Sequence, residues 1–125
     1  MKVAELMQTS LKTISTDSTV ADAIVDLASA QVSALPVVDR FGRAVGVLST
    51  REILKAESEG VSHEAKVLER MAPWPTTIDP DLDVRQAAQE MLYLNVQRLF
   101  VEYGGALVGV ISQTDIVGAV ATAKV

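Results

Sequence analysis

Cysteine is absent from this 125-residue chain, and histidine occurs once, as His63. Without thiols there is no disulfide framework, no thiolate nucleophile and no cysteine-based zinc site, which fits a reducing compartment. A lone histidine likewise removes most histidine-dependent catalysis and metal ligation. Aromatic residues make up only 4% of the chain, so the core must be built from Val, Ala, Ile and Leu. Positive charge is also scarce: 11 Lys and Arg stand against 16 Asp and Glu, a formal charge of -5. The face that neutralises nucleic-acid phosphates is therefore not supplied, and polymeric nucleic acid is not expected as a partner. Long apolar runs are missing too. The longest uncharged stretches, Leu27 to Asp39 and Tyr103 to Asp115, fall short of the roughly 18 apolar residues a spanning helix needs. Met1-Lys2-Val3-Ala4-Glu5-Leu6 reaches an acidic residue before any apolar run, unlike a secretory leader. A soluble, cytoplasmic protein with no membrane partner is expected.

What is present, 49% hydrophobic and 22% charged residues, is the makeup of one compact domain or two very small ones. The chain repeats itself. Shifted by 64, Val3 falls on Val67, Glu5 on Glu69, Met7 on Met71, Thr13-Ile14 on Thr77-Ile78, Val20 on Val84, Leu35 on Leu99 and Val37 on Val101. Beyond the turn around Gly42 the shift becomes 63, and Val45-Gly46-Val47 meets Val108-Gly109-Val110. Residues 1–60 and 61–125 are thus read as two copies, joined by a connecting segment, 60–66, too short for a flexible tether. In each copy a Thr-Ile segment (12–15; 76–79) precedes a helix whose apolar residues recur at i, i+3, i+4, i+7 and i+8. Thr19 with Asp22, and Asp83 with Gln86, stand where an N-cap and N3 pair belongs. Two β-branched runs follow (35–39 and 44–48; 99–103 and 106–111), turned at Gly42 and at Gly104-Gly105, where a hairpin needs positive φ. A second helix closes each copy, Thr50 to Glu59 and Thr114 to about Lys124.

This order, with Glu5-Leu6-Met7, Thr13-Ile14, Leu35-Pro36-Val37-Val38-Asp39 and Gly46-Val47-Leu48-Ser49 in the first copy, resembles the CBS (cystathionine β-synthase) domain. Gly109-Val110-Ile111-Ser112-Gln113-Thr114-Asp115-Ile116 is the strongest stretch of the second. The resemblance implies an α/β (α+β) fold of two tandem β-α-β-β-α repeats, packed with pseudo-two-fold symmetry as one CBS-pair, or Bateman, module.

The best chemical candidate is the Ser-x-x-acid stretch that opens the closing helix of each copy. Ser112 and Thr114 put hydroxyls, and the helix start puts N–H groups, where a phosphate is held by the positive end of the dipole. Asp115 offers two acceptor oxygens to the vicinal hydroxyls of a ribose. The same spacing is also a helix capping box, which exists with no ligand at all. For Ser49-Thr50-Arg51-Glu52 the cap is the preferred reading, since Glu departs from the family's Asp; for the second copy ligand binding is preferred. The resemblance further implies an apolar cleft between the repeats for a base, near Thr77, Ile78, Val96 and Leu99. Arg98, beside that cleft and with Ala34 at the matching place, reads either as a bidentate phosphate partner or as a solvated edge-strand residue. The corresponding, weaker site of the first copy comprises Lys12, Thr13, Ile14, Leu35, Pro36, Ser49, Arg51 and Glu52.

His63 has no second His, no Cys and no spaced carboxylate, so neither a metal nor a catalytic triad is expected. The closing helix from Ile116 to Ala123 is apolar around nearly its whole circumference, and Ala21, Val25 and Ala30 extend the apolar stripe of the first helix. A homodimer through helical faces is the expected outcome, in accord with the resemblance. The expected function is non-enzymatic and requires no cofactor. It is a regulatory module binding an adenosine nucleotide of one or two phosphates (AMP, ADP or ATP-like), and answering to an unidentified effector protein. The alternative is a dimerisation or protein-interaction module with a vestigial ligand site.

Overall fold

Each of the two long helices starts where a side chain can satisfy orphan backbone donors. In the computed structural model, which describes residues 1–122, the Thr19 hydroxyl accepts from Asp22 N–H (3.2 Å) and the Asp22 carboxylate accepts from Thr19 N–H (3.0 Å). These bonds open α2 (Val20–Ala30). They also hold the Asp22 carboxyl below its usual value, the backbone bond being the larger cause. Asp83 opens α5 (Val84–Leu94) through Arg85 N–H (2.8 Å), while Gln86 reaches back to Asp83 N–H (3.3 Å). Both helices stop on a left-handed residue, Gln31 and Asn95, at matching places in the two copies.

The remaining elements are α1 (Val3–Leu6), β1 (Ile14–Ser15), β2 (Ala34–Val38), β3 (Ala44–Ser49), α3 (Thr50–Ser58), α4 (Val67–Arg70), β4 (Ala72–Pro73), β5 (Thr77–Ile78), β6 (Arg98–Tyr103), β7 (Ala106–Ser112) and α6 (Gln113–Ala121). The β-α-β-β-α order is therefore present twice. Short α1 and α4 and the two-residue β4 come in addition; four-residue helices have no periodicity to show in a sequence. The last helix starts one residue earlier than Thr114, and its expected end at Lys124 lies outside the described residues.

The chain folds as two compact units that do not coincide with the copies 1–60 and 61–125. One unit is Lys12–Pro75; the other combines Met1–Leu11 with 76–125. In the first, α2 returns the chain so that β1 and β2 run parallel, and β2 and β3 form an antiparallel hairpin; the sheet order is β1-β2-β3-β4. Its fourth strand comes from the second sequence copy, as Ala72 pairs with Val47 and Pro73 with Gly46. Pro36, which has no N–H to give, precedes the part of β2 that pairs on both sides, Val37 and Val38. Leu35, Val37 and Leu48, all 0% exposed, pack with Ile14, Ala23, Leu27 and Val67.

The other unit repeats this plan with the order β5-β6-β7. Here the first copy supplies the missing edge: Gln8 N–H donates to Val110 O (2.8 Å) and Val110 N–H to Gln8 O (3.0 Å). Val3 from α1 enters a core of Ile78, Ala87, Met91, Leu99, Val101 and Ile111. The edge segment can lie this close because β3 and β7 carry glycine there. A Cβ on Gly46 would stand 2.6 Å from Met71 Sδ, and one on Gly109 the same distance from Met7 Sδ. Hairpin tips turn at Gly42, Gly104 and Gly105, all at positive φ. Among the described residues no polar side chain is buried and no helix is long and apolar enough to cross a membrane.

Candidate functional site

In the unit that contains the second copy's sheet, strand register brings the residues together. Arg98 opens β6 opposite Ser112, the last residue of β7, and Thr77 of β5 pairs with Phe100, two residues along β6. Thr77, Arg98 and Ser112 thus mark one end of the sheet, the end from which α6 departs. Gln113 N–H donates to Gln97 O (2.9 Å) and Gln113 Nε2 to Val96 O (3.2 Å), which ties the helix start to the lead of β6. Thr114 is exposed and Arg98 half-buried, whereas the Ile78 and Leu99 side chains lie in the core, with Val96 packed against it.

At the helix start Ser112 and Asp115 close on each other. Ser112 N–H donates to Asp115 Oδ2 (2.9 Å) and Asp115 N–H to Ser112 Oγ (3.1 Å). The other carboxylate oxygen, Oδ1, accepts from Gln8 Nε2 (3.2 Å). Gln8 was not among the expected residues, because 107 positions separate it from Asp115. The only trace of it in the sequence is an amide where the other copy has Ala72. An ionised carboxylate has about four lone-pair sites, so a half-buried Asp115 retains acceptor capacity beyond these two bonds.

The unit Lys12–Pro75 assembles the counterpart with different chemistry. Thr50 N–H donates to Ser33 O (3.0 Å), the equivalent of the Gln113–Gln97 bond. Glu52, one methylene longer than Asp115, folds back so that a single oxygen, Oε1, accepts both Ser49 N–H (2.7 Å) and the Ser49 hydroxyl (2.5 Å). The serine that accepts in one copy donates in the other. Ile14, Leu35 and Pro36 are buried, Thr13 and Arg51 are exposed, and Lys12 Nζ lies 4.0 Å from Asp26 Oδ1. A cleft of about 300 Å³ opens beside this cap, lined by Arg51, Glu52, Lys55 and Glu59 of α3 and by Glu69, Arg70, Met71 and Ala72. Its far wall comes from α4 and β4, the elements the sequence periodicity does not show.

The two copies of this plan correspond to a known unit, as the CBS domain profile matches residues 3–59 and again 68–122. The chain belongs to the CBS domain family. A CBS domain-containing protein of Dictyostelium discoideum is 31% identical over 126 residues, covering 91% of this chain and 87% of that protein. Two curated relatives are far longer: the chain spans only 14% of an A-adding tRNA nucleotidyltransferase of Aquifex aeolicus (26% identical) and 23% of an inosine-5′-monophosphate dehydrogenase of Methanocaldococcus jannaschii (29% identical). CBS pairs therefore occur both nearly alone and as parts of enzymes. Among solved structures, CBSX2 in complex with AMP is 26% identical, with a TM-score of 0.87 over 99% of this chain and 98% of that one. The fold is thus that of a CBS pair.

Proposed function

We propose that this CBS pair is a regulatory, non-catalytic sensor of an adenosine nucleotide, with Asp115 on the ribose and Ser112, Thr114 and Arg98 toward phosphate. The observation that carries the reading is the gathering of those four residues at one end of one sheet, where α6 begins. Two acceptor oxygens on a short arm suit a vicinal diol, and a guanidinium suits phosphate oxygens. The AMP held by CBSX2, similar over nearly its whole length, supports the ligand class. Among the described residues no group of three or more His, Cys, Asp or Glu side chains is placed to hold a metal ion. Regulation then follows from linkage: a ligand that prefers one conformation of the chain shifts its population and, with it, the affinity for an effector.

A second reading, homodimerisation through helical faces, rests on α6, where Val117 is 67% and Val120 61% exposed, and on Val25 of α2. The two readings are compatible. Melting the protein with AMP, ADP, ATP and adenosine tests the first, since a ligand at 100 times its Kd stabilises by about 2.7 kcal/mol. Asp115→Ala should weaken the bound compound far more than Glu52→Ala, with Asp115→Asn as the variant that keeps an acceptor for the cap. If no adenosine compound raises the melting temperature, the ligand reading is wrong.

A further inference from the structure

The turn between β2 and β3 carries more than a turn requires. Internal duplication supplies the control: Gly104-Gly105 alone connects β6 to β7, whereas Asp39-Arg40-Phe41-Gly42-Arg43 connects β2 to β3. The longer turn is held from within. Asp39 Oδ1 accepts from Phe41 N–H (2.8 Å) and from Arg43 N–H (3.0 Å), Asp39 N–H donates to Arg43 O (2.9 Å), and Gly42 N–H donates to Asp39 O (3.0 Å). Gly42, at φ 80°, takes the positive-φ step.

What this braced loop holds in place is exposed. Phe41 is 71% exposed, while the other phenylalanine, Phe100, is 4% exposed. The Arg40 guanidinium lies over the Phe41 ring, 5.0 Å from its centroid, within reach of a cation–π attraction. Arg40 and Arg43 set two guanidiniums against the one carboxylate of Asp39, and among the described residues neither has an ion-pair partner. The adjoining end of β1 adds one charge of each sign, Asp17 and the Lys66 ammonium on its carbonyl (3.1 Å). A lone exposed apolar side chain is ordinary. A ring on a braced loop, between two arginines without ion pairs, is not.

We infer that the β2–β3 tip is a docking point for a protein partner that presents an apolar socket for the Phe41 ring, rimmed by carboxylates for Arg40 and Arg43. Aromatic rings and arginines supply much of the binding energy of protein interfaces, and a loop already braced loses little freedom on binding. Charge complementarity selects the partner. A chain of net charge -5 repels an acidic partner in general, so attraction confined to a basic tip orients the docking. One ring buries too little apolar area to hold a membrane surface. The tip is separate from the nucleotide reading: Val38 pairs with Ala44 at the tip end of the hairpin, and Ala34 pairs with Ser49 at the other end, where α3 departs.

Random peptides displayed on phage and selected against the immobilised full chain test this. The selected peptide is synthesised and its affinity measured by fluorescence anisotropy for the parent, Phe41→Ala, Arg40→Gln/Arg43→Gln and, at the other hairpin tip, Tyr103→Ala. All four positions are exposed, so the variants should melt close to the parent; if Phe41→Ala melts lower, the double arginine variant decides. The expected result is a peptide with Asp or Glu beside an apolar residue, whose affinity falls about tenfold or more in Phe41→Ala and in the double variant and is unchanged in Tyr103→Ala. Added salt should weaken binding to the parent more than to the double variant. No selected peptide, peptides without acidic residues, or equal affinity for the parent and Phe41→Ala overturns the inference. Phe41-dependent binding to vesicles of phosphatidylcholine and phosphatidylglycerol in place of peptide would assign the tip to a membrane. A change in sedimentation of Phe41→Ala would assign it to a second copy of the chain, and either result overturns the inference as well.

Discussion

Gly46→Ala and Gly109→Ala make the same chemical change at matching places, and the surroundings predict unequal damage. At Gly109 the new methyl would stand 2.6 Å from Met7 Sδ, 3.0 Å from Met7 Cγ and 3.0 Å from Gln8 O. A thioether is flexible and can move aside, and the carbonyl needs to give by only a few tenths of an ångström. At Gly46 the methyl would meet Met71 Sδ at 2.6 Å and also the Ala72 carbonyl at 2.7 Å. That carbonyl belongs to β4, whose whole ladder is Gly46–Pro73 and Val47–Ala72, so relief means displacing the edge strand. Overpacking costs about 1–3 kcal/mol, with the lower end appropriate to Gly109 and the upper to Gly46. Relief of unfolded-chain entropy offsets about 0.4–1 kcal/mol of each, equally, so the difference survives. At about 4 °C per kcal/mol for a domain of this size, Gly46→Ala should melt roughly 8 °C below Gly109→Ala. Urea unfolding midpoints at constant m-value check the same ranking. Shortening the clashing side chain sharpens it: Met7→Ala should rescue Gly109→Ala, whereas Met71→Ala should not rescue Gly46→Ala. If Gly109→Ala proves as damaging as Gly46→Ala, the carbonyl contact is not what decides the cost.

Thr19→Ala removes the hydroxyl that caps α2 and should cost about 1 kcal/mol, read as a lowered denaturation midpoint. The same cap is acid-sensitive: the Asp22 carboxyl is held below its usual 3.8, so its contribution is present above that value and is lost as pH falls through the lowered one. The parent should therefore lose more stability than Asp22→Asn as the pH falls below 3.8, and parallel pH profiles would refute the assignment. For the homodimer proposed above, the parent should sediment as a dimer and Val117→Lys/Val120→Lys as a monomer at the same concentration; a monomeric parent, or an unchanged distribution, would exclude α6 as the contact.

Much of the fold was legible because its signals are local. The i, i+3, i+4 stripe of Val20, Ala23 and Leu27, the Thr19–Asp22 pair and the glycines at 42, 104 and 105 each act within a few residues. What stayed hidden depends on distant partners. Nothing near Ala72 announces Val47, and nothing near Gln8 announces Val110, since a one- or two-residue ladder has no alternation to read. The candidate site divides the same way. That Ser112 and Asp115 would face each other follows from their spacing, but the Gln8 amide on Asp115 does not. Nor does the wall that Arg70 and Met71 add to the cleft beside Glu52.

Because the edge of each sheet is completed from the opposite sequence copy, by β4 in one and by the single Gln8–Val110 bridge in the other, the chain has a built-in order of assembly during synthesis. Lys12–Pro75 is contiguous, and every partner it needs has emerged once Pro75 has. Met1–Leu11 belongs to the other unit, so these residues, made before Lys12–Pro75, must wait for β7. Closing Gln8 on Val110 spans a loop about four times longer than closing Val47 on Ala72, a modest entropic difference of roughly 1 kcal/mol but a long delay in translation. Moving the segment Met1–Leu11 to follow β7 in the order of synthesis would make both units contiguous and remove the wait.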